Sequence, residues 1–320
     1  MTNGFGDLPD GAYVVTSEMA QRGVLLEAFY TSDWYLDPAG DDGNSGFTPQ
    51  SAKRHFAAMA DKWVAGDTLH LAAGTYADAD DVSTDADGHR ARVVIPDGVT
   101  VCGASDGVSV IAGASDISQT IEGADGCGPA AVRCVVLGGA NARVRNCTLF
   151  NGHTDLVGDN STYKNNNANW GGGVFGVKNA GGWVENCVIT NCVAVRGAAS
   201  YWATLVKCRV VGNASTTVDG SGAAGMFYGS AYGTVFTGNV GPNWTVMYPT
   251  LLSGCSIFKN NIPLSGTYDV ILNNASQSLV STLCDGPSAA SAAGLISHCA
   301  FASDWKNVIS ADKTDGTCVF

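Results

Sequence analysis

Val144-Arg145-Asn146-Cys147-Thr148-Leu149-Phe150-Asn151 returns with the same outline as Val184-Glu185-Asn186-Cys187-Val188-Ile189-Thr190-Asn191. Looser copies follow as Leu205-Val206-Lys207-Cys208-Arg209-Val210-Val211-Gly212-Asn213, Tyr232-Gly233-Thr234-Val235-Phe236-Thr237-Gly238-Asn239, and Leu252-Ser253-Gly254-Cys255-Ser256-Ile257-Phe258-Lys259-Asn260. Aligned on the cysteine, with Thr234 standing in once, the steps from Cys187 onward are 21, 26 and 21 residues. Self-similarity at that period is the signature of a repeat architecture. Each copy holds short runs of alternating apolar and polar residues parted by Gly, Asn, Ser or Thr, and such runs read as strands. One unit of this size cannot bury its own apolar face, so the copies must stack, each strand pairing with its equivalent in the next coil. A parallel β-solenoid follows, with the cysteines in one internal ladder and Leu149, Ile189, Val210, Phe236 and Ile257 in the next. Asn at a strand end suits a left-handed turn position and can bond the Asn of the neighbouring coil.

Composition agrees with one long, narrow core. Of 320 residues 14 % are charged, 45 % are apolar and 41 are glycine, a profile of many bends around a continuous interior rather than of a disordered chain. The net charge of −12 argues against a nucleic-acid partner, which needs clustered Lys and Arg, and against a polybasic membrane patch. No apolar run long enough to span a bilayer is present, so no membrane insertion is expected. The opening Met1-Thr2-Asn3-Gly4-Phe5-Gly6-Asp7 lacks the order of a signal peptide, so an exported protein is expected to be a mature form or a part of something longer. Four of the 11 cysteines, Cys147, Cys187, Cys208 and Cys255, fall at one phase of the repeat, which fits buried free thiols better than a disulfide framework.

Ahead of the repeats the text is more specific. A strand from Trp34 runs into the loop Asp37-Pro38-Ala39-Gly40-Asp41-Asp42-Gly43-Asn44. Thr48 is a good N-cap and Pro49 a good first residue for a helix expected to reach about Trp63, with Ala52, Phe56, Met59, Ala60 and Trp63 on one face. Gly66-Asp67-Thr68 then turns into a strand, and Gly74-Thr75-Tyr76 closes the coil. This succession, Trp34 to Tyr76, resembles the opening segment of bacterial extracellular right-handed parallel β-helix proteins of the pectate-lyase-like group. The resemblance implies an all-β fold, a single right-handed parallel β-helix with a short N-terminal helical cap. The cap and its helix would take residues 1–66 and the coils 67–320, with a long loop at 152–172. It also implies an extracellular or cell-surface location and a polysaccharide partner. It reports architecture rather than chemistry.

Chemistry is sought first in the long loop. The step from Cys147 to Cys187 is 40 residues, about one coil more than the period, and loops thrown from a rigid scaffold are where function concentrates. A lyase acting on an acidic glycan needs a base for the proton beside the carboxylate and a cation or basic group on that carboxylate. Lys164 and His153 are the candidate bases, Arg196 the candidate carboxylate partner, and Tyr163 and Trp170 the rings for a sugar face. A hydrolase would use two carboxylates, for which Asp155 and Asp159 are the candidates. Ca²⁺ is the cofactor to consider, since the acidic stretch between Tyr76 and Val93 could offer oxygen ligands; it lacks a closing Glu at EF-hand spacing and reads as a solvated loop. No known lyase signature is matched residue by residue. The function expected is therefore binding, with cleavage if the loop is catalytic, of a polysaccharide or cell-surface glycan; the alternative is a non-catalytic surface, adhesive or structural module.

Overall fold

The computed structural model describes residues 32–105, 107–118, 126–155, 169–216, 222–242, 244–258, 260, 268–272, 276–284, 288–290, 295–297 and 299–301. They form a parallel β-helix. Three parallel sheets of 10, 9 and 9 strands run the length of the coils, the third gaining one antiparallel edge pair, and a 2-stranded sheet sits between two of the bends. The repeat phrase explains the shape of each coil. Arg143–Arg145 lies in the first sheet and Cys147–Phe150 in the second, with Asn146 alone between them at φ 58°. A single residue in the left-handed region redirects the chain within one step. The same place is taken by Asn186, Lys207, Gly233, Gly254 and Ser281, all at positive φ. Asn tolerates this conformation and gains from it, because Asn186 Nδ2 donates to Asn146 Oδ1 at 3.0 Å across the coils.

The residue after that bend points inward in every copy. Cys147, Cys187, Cys208 and Cys255 are buried together with Thr234 and Thr282, and all ten described cysteines are free thiols. Their Sγ atoms donate to main-chain carbonyls, as Cys208 does to Val184 at 3.2 Å. Two residues on, Ile111, Leu149, Ile189, Val210, Phe236, Ile257 and Cys284 stand in register across the second sheet, buried at every level.

The asparagines that end the phrase divide into two sets. Asn151 and Asn191 are themselves bend residues, at φ 55° each, where Gly212 and Gly238 stand in the later coils. Asn213, Asn239 and Asn260 fall one position further on, in line with Cys192, and run up the inside. Asn213 Oδ1 accepts from the Cys192 amide at 3.0 Å, Asn213 Nδ2 donates to Asn239 Oδ1 at 2.9 Å, and Asn239 Nδ2 to Asn260 Oδ1 at 3.0 Å.

The helical cap is not formed among the described residues. Thr48 caps as expected and shares a capping box with Ser51, but only the 3₁₀ turn Pro49–Ser51 follows, and the chain leaves it extended at Ala52. A second turn, Phe56–Met59, is also 3₁₀. Tertiary pairing overrides helix propensity here: Lys53 N donates to Tyr35 O at 2.9 Å and Lys53 O accepts from Asp37 N at 2.8 Å, so the backbone needed for a helix is bonded to the first strand. The Lys53 ammonium is buried in the Gly/Asp loop, donating to Asp42 O at 2.7 Å and Asn44 O at 2.5 Å. The Gly-Asp-Thr turn has an equally local cause. Asp67, 1 % exposed, accepts from Ser32 N at 2.7 Å, Val64 N at 3.0 Å and Trp34 Nε1 at 3.0 Å, tying strand Asp33–Leu36 beside strand Thr68–Leu71 in the first sheet.

Candidate functional site

The third sheet has two buried faces. Val93, Val135, Val174, Ser200, Met226 and Val246 form its inner column. The next residue of each strand gives Val94, Val136, Phe175, Tyr201, Phe227 and Met247, a column on the opposite face that packs as a separate apolar cluster. Phe175, Tyr201 and Phe227 are at most 3 % exposed, while Trp170, Trp202, Tyr228, Trp244 and Tyr248 sit partly exposed around them. Burial pushes the Tyr201 phenol up to about 12. Trp202, Tyr228 and Tyr248 occupy a bend at φ 57°, 58° and 53°, and the first two rings stack at 4.8 Å. Ring contact from coil to coil offsets a conformation that costs an L residue about 1–2 kcal/mol.

Two members of the expected site meet at the edge of this face. Trp170 and Arg196 form a parallel backbone bridge, and the Arg196 guanidinium lies 5.6 Å from the Trp170 ring and 5.5 Å from the Phe227 ring. Trp170 also packs edge-on against Tyr201 at 5.0 Å and Phe227 at 5.1 Å. Asp155 lies beside them, nearly buried, with Oδ1 2.6 Å from Arg133 Nη1. Arg133 is fully buried, its Nε reaches the Trp170 carbonyl at 3.5 Å, and its guanidinium is 5.7 Å from the Phe175 ring. Burial pulls the Arg133 pKa down against Asp155 and Asp85, yet an arginine starts so high that it stays charged.

His153 is buried at 6 % exposure. Its Nδ1 donates to Asn151 O at 3.1 Å, and its Nε2 edge fits so closely on Gly126 that a Cβ there would lie 3.0 Å from it. Burial lowers its pKa, which leaves a neutral ring at pH 7. Lys164, Asp159 and Tyr163 lie outside the described residues.

Sequence reasoning missed Arg133, His89 and the ring column. His89, 2 % exposed, has its Nδ1 2.7 Å from Asp85 Oδ2 and its ring 4.3 Å from that of Phe175. Asp85, Asp87 and His89 place one ligand atom each within 4.8 Å of one another and are the described residues that could hold a cation. The missed signals were legible. Arg133 is a lone charge in the apolar strand Arg133–Leu137, and Tyr201-Trp202, Phe227-Tyr228 and Met247-Tyr248 recur as neighbouring pairs at nearly the coil period.

No family model matches the sequence, and no curated protein does. Solved structures do match. The crystal structure of pectate lyase Pel9A is similar with a TM-score of 0.56 at 13 % identity, covering 89 % of this chain and 74 % of that one. The fold is the parallel β-helix of that lyase. Other matches are more distant: pectin methylesterase PemA from Erwinia chrysanthemi, with a TM-score of 0.42 at 12 % identity over 82 % of this chain and 81 % of that one, and a rhamnogalacturonan lyase, with 0.29 at 11 % over 78 % and 82 %. At such identities the likeness to the pectate lyase speaks for the fold alone.

Proposed function

We propose that this β-helix binds a polysaccharide at the outer edge of its third sheet, where Trp170 and Arg196 converge. That convergence is the observation that carries the reading: a tryptophan beside a guanidinium offers a ring for the C–H face of a sugar and a planar donor for its oxygens. The fold it shares with a pectate lyase supports a glycan partner, and no described helix is long and apolar enough to cross a membrane. With an acidic glycan, Arg196 would face the sugar carboxylate, and Lys164 or His153 would supply the base if β-elimination occurs.

A non-catalytic surface or adhesive module is the second reading. It is favoured by the commitment of two candidate catalytic groups: the Asp155 carboxylate is paired with Arg133, and the His153 ring is buried. Both readings are separated by one screen of the purified chain against acidic and neutral polysaccharides, with and without Ca²⁺, in which binding, ultraviolet absorbance of unsaturated product and new reducing ends are followed together. Binding lost in Trp170→Ala and Arg196→Gln supports the site. Unsaturated product establishes a lyase, reducing ends alone a hydrolase, and binding without either the adhesive module. No binding across the panel overturns the reading.

A further inference from the structure

Away from the third sheet's outer face, a second set of titratable side chains gathers where the opening segment meets the acidic loop. His55 stands between two carboxylates, with Nδ1 2.6 Å from Asp42 Oδ2 and Nε2 2.8 Å from Asp78 Oδ2. Carboxylates only accept, so both bonds hold together only when both ring nitrogens carry hydrogen. Asp42 belongs to the Gly/Asp loop, and its other oxygen accepts the Arg54 and His55 amides at 3.0 and 2.9 Å. Asp78 follows Tyr76 and also accepts from Arg54 Nε at 2.9 Å. Asp81 turns its carboxylate back to the amides of Phe56 and Ala57 at 3.1 and 2.9 Å, and the Arg92 guanidinium holds the carbonyls of Asp78 and Asp81. The charged groups facing the imidazole are thus Asp42, Asp78, Asp81 and Arg54, with Lys53 and Arg92 behind them and Tyr76 lining the same hollow. Beyond Asp81 the loop pairs Ser83–Thr84 with the start of strand Arg90–Ile95, and His89 at its far end lies against Phe175.

We propose that Asp42, His55 and Asp78 form a pH-operated clasp, which fastens the acidic loop of residues 77–89 to the opening segment while the imidazole is protonated and slackens when the proton leaves. A neutral ring keeps one N–H, and its other nitrogen turns a lone pair on a carboxylate within hydrogen-bond distance. One bridge becomes a repulsion. Arg54 still reaches Asp78 Oδ2 through Nε and Nη2, and the His55 bonds are themselves partly exposed, with His55 at 26 %, Asp42 at 40 % and Asp78 at 47 %, so the clasp slackens rather than opens. The direction of titration agrees with the geometry: burial alone would lower the His55 pKa, and the bonds from Asp42 and Asp78 outweigh it and raise it. Since the loop carries His89 to the face proposed for glycan binding, the clasp governs how firmly that end of the face is held.

Hydrogen exchange of the full chain, corrected for intrinsic rates and read by mass spectrometry at about pH 5.5 and about pH 8.5, tests this on either side of the usual histidine range. Protection of peptides within 77–89 is expected to fall at the higher pH by up to about tenfold for each unit by which His55 is raised, while peptides around Cys187 do not change. His55→Gln should abolish the pH dependence. His70→Gln, which removes a histidine bonded to the single carboxylate of Asp33, should leave it. Equal protection at both pH values in the unaltered chain, or an unchanged pH dependence in His55→Gln, overturns the clasp. The unaltered chain decides by itself if the variant does not fold.

Discussion

Ser200 places a hydroxyl in a column shared with Val174, Met226 and Val246, and its buried Oγ has no hydrogen-bond partner among the described residues. Water satisfied that group in the unfolded chain, so folding leaves its desolvation uncompensated. Ser200→Ala is expected to stabilise the fold by about 1 kcal/mol in urea unfolding, and a loss of stability would show a partner for the hydroxyl. The buried amide ladder predicts the opposite sign. Asn239 donates to Val210 O and Asn260 Oδ1 and accepts from the Asn213 amide and side chain. Asn239→Ala strands several buried groups at once and should cost about 3 kcal/mol or more, whereas Asn186→Gly keeps the left-handed bend and should cost well under about 1 kcal/mol. Equal losses in the two variants would mean that the inner and outer asparagines do the same job. The repeat phrase did not separate them, because one residue of offset decides whether an amide bends the chain or fills its interior.

Among the elements, the Gly-Asp-Thr turn depends on Asp67, whose carboxylate is the common acceptor for two main-chain amides and the Trp34 indole. Asp67→Ala leaves the buried Trp34 indole and two part-buried amides unpaired, and a loss of about 2–3 kcal/mol in thermal unfolding is expected. The clasp has its own pH signature. His55 is raised above 6.5, so its stabilisation is fully present below 6.5 and is lost as pH rises through the folded value. Asp42 is lowered because the His55 bonds outweigh burial, and Asp78 chiefly by its bond to His55; their stabilisation is present above 3.8 and is lost as pH falls through the folded values. The clasp is therefore at full strength between 3.8 and 6.5. Asp81, raised by burial, titrates in the other sense, so the informative quantity is the Tm of the unaltered chain minus that of His55→Gln. That difference should peak in this window and shrink above it; a flat difference would count against the clasp. The strand-loop-strand order of this segment could be read from its residues, but the replacement of the expected helix by two 3₁₀ turns could not, because Lys53 pairs with a strand that lies before it in the chain.

For the molecule as a whole, a continuous interior makes the cysteines a matter of packing. Burial pushes Cys147 up to about 12 and Cys127 and Cys208 up to about 11, so native thiolate is scarce. Iodoacetamide is expected to leave the buried thiols unmodified in the folded protein and to label them after unfolding, and reductant should not shift the Tm; a reductant-sensitive Tm would reveal a disulfide. The period, the short alternating runs and the bend-tolerant Asn and Gly determined the solenoid, its cysteine ladder and the inner column from Leu149 to Ile257, because those follow from what each residue can bury and which φ it tolerates. Only the tertiary structure decided that Arg133 meets Asp155, that Trp170 lies under Arg196, and that His55 is shared by carboxylates from two loops. Side chains outside the ladders take their partners from neighbouring coils and from loops that no local spacing brings together. Their pairing is set by how one coil lies on the next, and a repeat period fixes that stacking for the inward columns and the asparagines at the bends alone.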